Sequence, residues 1–351
     1  MAIDDQKMNA FMEHFVADIG AVLHAPLVVL GEQLGLYRTL AKEPHTAMGL
    51  ARETATAERY VAEWLAANAA AGYVQYDPAT SSYHMTEEQV AALADADSPF
   101  FIPGAFLVAM AMFRDESKIA EVFRSGRGFG WHQHDRSLFA GTAKFFRANY
   151  IGNLISSWIP ALTGVQEKLE SGARVADIGC GFGASTVLMA KAFPNSRFYG
   201  FDYHADSVAA ARRAAESAGV LHRVSFETSS AKAFPGERYD LITFFDCLHD
   251  MGDPESVARH ALSALAPGGT CMIVEPFAHD SVQENLNPIG RIFYSASTMI
   301  CTPASKADEG GLALGAQAGE ARIGRLIRNA GFTRFRRAAE TPFNLVFEAR
   351  A

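Results

Sequence analysis

The sequence predicts an α/β protein, with a Rossmann-like seven-stranded sheet preceded by a mostly α winged-helix domain. Three observations carry that prediction. An apolar strand runs into Asp177 and then into alternate glycines, Gly179, Gly181 and Gly183, before a segment able to open a helix. A second acid, Asp202, closes the next candidate strand. From residue 173 onward, strand-length apolar runs alternate with helix-length segments, whereas residues 8–97 are alanine-rich and helical.

Size and composition bound the possibilities. A chain of 351 residues is long enough for two hydrophobic cores, and 49% hydrophobic with 20% charged residues is ordinary for a globular protein. The net charge of −8 argues against a phosphate-backbone partner, because nucleic-acid binders present a basic surface. The opening Met-Ala-Ile-Asp-Asp-Gln-Lys lacks the basic and apolar stretches of a secretory signal, so a cytoplasmic location is expected. The run read as most apolar, 99–113, holds two prolines and is too short to span a bilayer, so no membrane partner is expected. Cys180, Cys247, Cys271 and Cys301 are scattered and read as free thiols, not as a disulfide frame or a zinc site.

The first domain, 1–97, begins with Phe11, Phe15, Ile19, Leu23 and Leu27 at helical spacing. A helix over 57–71 carries Tyr60, Val61, Trp64 and Leu65, with Gly72 as its stop. Segments 73–76 and 82–85 read as two short strands around a turn at 77–80. Helices closing on a hairpin suggest a winged helix. Its presumed recognition helix offers Arg59 against Glu58 and Glu63, so DNA binding is disfavoured and homodimerisation is the expected role.

Residues 98–170 read as a helical connector rich in aromatics, including Phe113, Phe123, Phe129, Trp131, Phe145 and Trp158, most of them expected in the core. Phe146 and Tyr150 are candidates for a substrate pocket. His132, Gln133, His134 and Asp135 form a glycine-flanked polar turn, and no metal is assigned to them. The third domain, 171–351, has candidate strands at 174–178, 197–202, 223–227, 239–245 and 270–275. Helices are expected at 185–193, 204–218 and 253–265. A long cap insertion, 277–320, precedes a helix at 321–330 and closing strands at 333–338 and 343–350.

The loop decides the ligand class. A dinucleotide fingerprint reads G-x-G-x-x-G, whereas here the acid Asp177 stands two residues before the first of three alternating glycines. An acid there suits a cofactor bearing an ammonium group, and Asp202 can accept from both hydroxyls of its ribose. This pattern resembles motif I of class I S-adenosylmethionine-dependent methyltransferases. Tyr239 through Asp246 resembles their fourth-strand motif, and Leu265-Ala266-Pro267-Gly268-Gly269 resembles the turn into their fifth strand. The resemblance covers 173–351 and implies S-adenosylmethionine as cofactor. The residues implied to hold it are Asp177, Gly179, Cys180, Gly181, Gly183, Asp202, Tyr203, Ser230, Ala231 and Asp246. Ser229-Ser230-Ala231 stands where many such enzymes carry an acid for the adenine amino group, so the adenine contact is expected to be weaker.

After the fourth strand, Cys247-Leu248-His249-Asp250 resembles the catalytic station of the winged-helix, caffeate-type small-molecule O-methyltransferases. Segments 245–254, 284–288 and 314–320 are similar to bacterial Rv2258c-type methyltransferases. The caffeate-type resemblance implies His249 as general base, a residue whose ordinary pKa suits the task near neutrality, while the Rv2258c-type resemblance implies cofactor binding without naming an acceptor. A purely structural role for His249 is the alternative. Asp253 and Pro254 read as N-cap and first helical residue. Asp250 is left without a role, since adjacent side chains on an extended segment point apart.

The insertion carries Phe293, Tyr294, Met299 and Ile300, which suit a small, largely apolar or aromatic acceptor; Phe293 and Tyr294 join the substrate candidates. Gln317 is a possible polar contact, and Glu320 reads as a first-turn helix residue. No carboxylates gather with magnesium-ligand spacing. The expected function is methyl transfer to such an acceptor, at a hydroxyl oxygen first. The alternatives are N-, S- or C-methylation with His249 only positioning the acceptor, and a cofactor-sensing DNA-binding regulator.

Overall fold

The computed structural model describes residues 3–351. Packing divides the chain into two compact units: one runs to Ala111 and adds Ala140–Ala148, the other comprises Met112–Phe139 and Asn149–Ala351. The connector expected over 98–170 is therefore not a unit of its own. Its long helices, Pro103–Ser125 and Arg136–Asn153, contribute residues to both units.

In the first unit, helix Asp5–Gln33 starts where the Asp4 carboxylate accepts from the Gln6 and Lys7 N–H groups. Its second half packs inward with Val28, against a core of Tyr37, Leu40, Leu50, Val61, Trp64 and Leu65. Three polar side chains of this core are hydrogen-bonded to one another or to backbone. Tyr37 donates to Asn68 Oδ1 at 2.5 Å, Asn68 donates to the Trp64 carbonyl at 2.8 Å, and the Trp64 indole donates to the Leu27 carbonyl at 2.9 Å. Helix Glu58–Ala70 ends before Gly72, whose φ is 76°. The Tyr73 N–H is spent on the Asn68 carbonyl, so the hairpin starts later than expected: β1 is Gln75–Asp77 and pairs antiparallel with β2, Ser82–His84. Arg59 is taken up in an ion pair with Glu63.

The first half of the long helix is different. Phe11, Phe15, Val16 and Leu23 are exposed along it. By length and composition this helix is apolar enough to cross a membrane, with a mean hydropathy of 1.6 over its best window. The sequence reading placed the most apolar run at 99–113 and missed it, because isolated charges at Glu13 and Asp18 interrupt the stretch.

The second unit holds the large sheet. Its strands are β3 (Arg174–Ile178), β4 (Arg197–Asp202), β5 (Val224–Thr228), β6 (Tyr239–Phe245), β7 (Leu265–Pro276), β8 (Arg334–Glu340) and β9 (Asn344–Arg350). Their order is β5-β4-β3-β6-β7-β9-β8, with β3 to β7 parallel and β9 antiparallel to both β7 and β8. This is the doubly wound sheet with a closing hairpin that was expected. The chain starts at β3, moves out through β4 to β5, then returns to β6 on the other side, so a crevice opens at the carboxyl ends of β3 and β6. β7 begins earlier than expected, since Leu265 already pairs with Tyr239 across an irregularity.

Candidate active site

The three loop glycines do two different jobs. All have positive φ, at 70°, 51° and 76° for Gly179, Gly181 and Gly183. A Cβ on Gly179 would meet Cys247 Sγ at 2.8 Å, and one on Gly183 would meet Phe226 at 2.8 Å and Ala211 at 3.0 Å. These two serve internal packing. A Cβ on Gly181 would meet nothing within 4 Å, so this is the glycine whose backbone faces open space. The expectation that all three make way for a ligand is corrected to this one.

Asp177 is corrected too. Its carboxylate is 1% exposed and accepts from Ser185 Oγ at 2.7 Å, Thr186 Oγ1 at 2.5 Å and Thr243 Oγ1 at 3.0 Å. It braces β3 against the following helix, Ala184–Ala192, and against β6. Burial pushes its pKa up to about 6, although the three hydroxyls pull the other way.

Asp202 stands at the end of β4, half-buried, and shapes the crevice. One oxygen accepts from the Gly181 N–H at 2.9 Å and the other from the His204 N–H at 2.9 Å. Each oxygen keeps a second lone pair. The Ser229 N–H donates to the Asp202 carbonyl, which brings the Ser230–Ala231 turn beside it. Tyr203 is 52% exposed, its ring edge-on to His132, and burial of its hydroxyl pushes the pKa up to about 12. Cys180 is buried behind the loop. An open Gly181 beside an acceptor-rich carboxylate fits a nucleoside with two ribose hydroxyls, and these residues could hold one.

At the end of β6, Asp246 takes a left-handed φ of 50°, unusual for a non-glycine residue. Its carboxyl accepts from Asn344 Nδ2 at 2.8 Å and Tyr150 OH at 3.4 Å. Burial, then the neighbouring Glu275, hold its pKa well above the carboxylate range. A 3-10 turn, Leu248–Asp250, follows and places His249, 3% exposed. Its Nδ1 meets Glu275 Oε2, on β7, at 2.5 Å, and its Nε2 meets Asp250 Oδ1 at 3.2 Å. Burial lowers the His249 pKa, but Glu275, Asp250 and Cys301 outweigh it and hold the imidazolium well above its ordinary value. Asp250 and His249 face each other because the segment is a tight turn, not the extended stretch assumed from sequence. The imidazole and the Asp250 carboxylate meet directly, and the Cys301 thiol lies beside both.

The remaining candidates divide. Phe293, on helix Pro288–Ala296, is buried against Phe343, while Tyr294 beside it is half-buried. Tyr150 is buried against Phe245 and Trp158. Phe146 belongs to the first unit, where it packs on Phe145. Gln317 donates to the Phe277 carbonyl at 3.0 Å, and Glu320 pairs with Arg337 in the first turn of its helix. His134 is not on a surface turn: it is buried, with Nδ1 at 2.9 Å from Asp115. Phe113 and Phe123 are exposed, not core. Sequence reasoning missed Glu275, whose signal was a lone acid closing the apolar run Cys271–Val274, and Trp131, which carried none.

Residues 169–331 match the sequence family described as a methyltransferase domain, and residues 23–95 match the Rv2258c-like winged helix-turn-helix domain. The chain is therefore similar to an Rv2258c-like winged helix-turn-helix domain over 23–95 and to a methyltransferase domain over 169–331. The trans-aconitate 2-methyltransferase of Paracidovorax citrulli is 35% identical over 108 residues, covering 31% of this chain and 40% of that protein. The matched stretch spans 24% to 40% of the length of the first such curated relatives. Human N-acetylserotonin methyltransferase, solved with S-adenosylmethionine, superposes with a TM-score of 0.74 at 15% identity, over 100% of this chain and 99% of that one. The mitomycin 7-O-methyltransferase structure superposes with a TM-score of 0.67 at 18% identity, over 99% and 100%. The methyltransferase domain thus has the fold of the S-adenosylmethionine-dependent enzymes.

The brace at Asp177 gives the methyltransferase domain a pH signature. The folded-state pKa of about 6 lies above the unfolded value of about 4, so the unfolded chain releases this proton first as pH rises. The contribution of Asp177 to stability is therefore greatest below pH 4 and declines between about pH 4 and 6. Denaturant unfolding across that range should show the decline in the natural protein and not in Asp177→Asn; parallel curves for the two would contradict the assignment.

Proposed function

We propose that the chain transfers the methyl group of S-adenosylmethionine to a hydroxyl oxygen on a small, largely apolar or aromatic molecule. The observation that carries this reading is His249, pinned through Nδ1 by the Glu275 carboxylate at the crevice end of the sheet. When bound, the cofactor supplies an activated sulfonium methyl as the electrophile. The chain's own work is to hold, align and deprotonate. Gly181 and Asp202 hold the nucleoside, with Gly179, Cys180 and Gly183 shaping the loop and Tyr203, Ser230 and Ala231 on the adenine side. Asp246 stands at the methionine end. Phe293, Tyr294 and Tyr150, all of the second unit, supply the apolar surface for the acceptor.

His249 takes the hydroxyl proton at Nε2 as the oxygen attacks; Glu275 orients the ring and stabilises the imidazolium that results. Neighbours named for O-methyl and for N-methyl transfer share this fold, so oxygen is read from the His249–Glu275 pair and not from them. Because the two carboxylates keep His249 protonated to higher pH than usual, its basic form grows as pH rises above neutrality, and turnover should rise with it.

We further propose that the protein is a cytoplasmic homodimer in which a second copy covers the exposed apolar half of helix Asp5–Gln33. Four free thiols suit a reducing compartment, and Phe11, Phe15, Val16 and Leu23 form more exposed apolar surface than a monomer usually carries. The winged helix then serves association and not DNA reading, in keeping with its paired Arg59.

Three measurements check these readings. Calorimetry with S-adenosylhomocysteine should show Asp202→Ala weakened tenfold or more, since charge-assisted hydrogen bonds are worth about 1.5–3 kcal/mol. The same titration should leave His249→Ala unchanged, while its turnover, on acceptors found by screening for S-adenosylhomocysteine release, drops about 10²–10⁴-fold and loses the alkaline rise. Full affinity in the first variant or full turnover in the second would contradict the assignment. Light scattering should give twice the chain mass for the natural protein and a single mass for Phe15→Asp combined with Leu23→Asp; a monomeric natural protein would refute the dimer.

A further inference from the structure

Residues 126–135 connect the helices Pro103–Ser125 and Arg136–Asn153, and together with the first turn of the second helix (to 139) they are built more elaborately than a connection requires. The Phe129 N–H donates to the Pro303 carbonyl at 2.8 Å, and Gly128 lies so close to Ala307 that no Cβ would fit. Asp115, 1% exposed, anchors the segment by accepting from His134 Nδ1 at 2.9 Å, the Asp135 N–H at 2.9 Å and Lys118 Nζ at 2.7 Å. Trp131 sits in this frame with its ring 6.1 Å from His134 and 5.8 Å from Phe139. Its indole N–H donates to Asp250 Oδ2 at 2.8 Å. The other oxygen of Asp250, buried and without a hydrogen-bond donor of good geometry, is the one that faces His249 Nε2. One carboxylate therefore joins the indole to the candidate base.

An aspartate side chain turns about two bonds, and nothing in the 3-10 turn itself selects the rotamer that meets His249. The indole bond does. We propose that Trp131 is a positioning residue: its N–H locks Asp250 in the orientation that faces His249 Nε2, and through Asp250 it governs how firmly His249 keeps its proton. This rests on the reading of His249 as the base. The charged and titratable groups facing His249 are Glu275 on β7, Asp246 at the end of β6, Cys301 on the turn Ser297–Cys301, and Asp250 itself. Among the described residues facing His249, Asp250 is the one bonded to the 126–139 segment. His134 and Tyr203 lie near Asp250 from the other side.

The test is the titration of His249 followed by NMR on ring-labelled histidine, in the full chain without acceptor. Asp250→Asn should move the midpoint down by about 1–3 pH units, the range for a neighbouring opposite charge. Trp131→Phe, which keeps an aromatic ring against His134 and Phe139, should move it in the same direction by less. The double variant should move it no further than Asp250→Asn alone. An unchanged midpoint in Trp131→Phe, or an equal shift in both backgrounds, overturns the proposal. Should Trp131→Phe fail to fold, Asp250→Asn still decides, because an unmoved midpoint there leaves the indole nothing to act through. These shifts do not depend on which atom is methylated, so failed turnover at oxygen with intact shifts would overturn only the functional reading.

Discussion

The crevice depends on one buried carboxylate. Asp177 sits between the strand that starts the sheet, the helix that follows the glycine loop and the strand that resumes on the other side, and it bonds to hydroxyls from the latter two. Burying a charge without partners is costly, and three hydroxyls offset only part of that cost, as the raised pKa records. What the arrangement provides is a fixed origin for the loop. The Gly179 N–H and the Cys180 N–H both bond to the Phe201 carbonyl, so the turn is tied to β4 before it reaches Gly181. Asp202 then closes the far side.

A second concentration of charge lies where the sheet ends at β6 and β7. Asp246, Glu275, Asp250 and His249 crowd together with little water, and one imidazolium cannot neutralise three carboxylates. Burial and Glu275 push the Asp246 pKa up, and the His249 ring meets Glu275 through Nδ1 and Asp250 through Nε2. Glu275 Oε1 is buried without a hydrogen-bond partner, and Asp250 Oδ1 has the imidazole Nε2 at 3.2 Å outside good hydrogen-bond geometry. Unmet acceptors beside a protonated imidazole belong to a place where a ligand donor completes the set, which suits an acceptor hydroxyl.

Much of this was legible in the sequence, because a parallel sheet writes continuous apolar runs. β3, β4 and β6 fall where the runs predicted them, as do the Asp253 cap with Pro254 and the first-turn place of Glu320. Residues whose meaning depends on distant neighbours were not legible. Spacing treats Gly179, Gly181 and Gly183 alike, while Cys247 and Phe226 separate them. His134 looked like surface polarity until Asp115, on another helix, came beside it. Asp250 was dismissed on the assumption of extended backbone, and one 3-10 turn reverses that. Trp131 stands far from Asp250 in the chain and had no pattern to betray it.

The central claim is that the open face of Gly181 and the Asp202 carboxylate take the nucleoside of S-adenosylmethionine. A crystal of the full chain with S-adenosylhomocysteine tests it most directly. Both ribose hydroxyls should lie within hydrogen-bonding distance of the Asp202 oxygens, with the thioether directed toward His249. The molecule bound elsewhere, or a crevice that takes a dinucleotide in its place, would contradict the account.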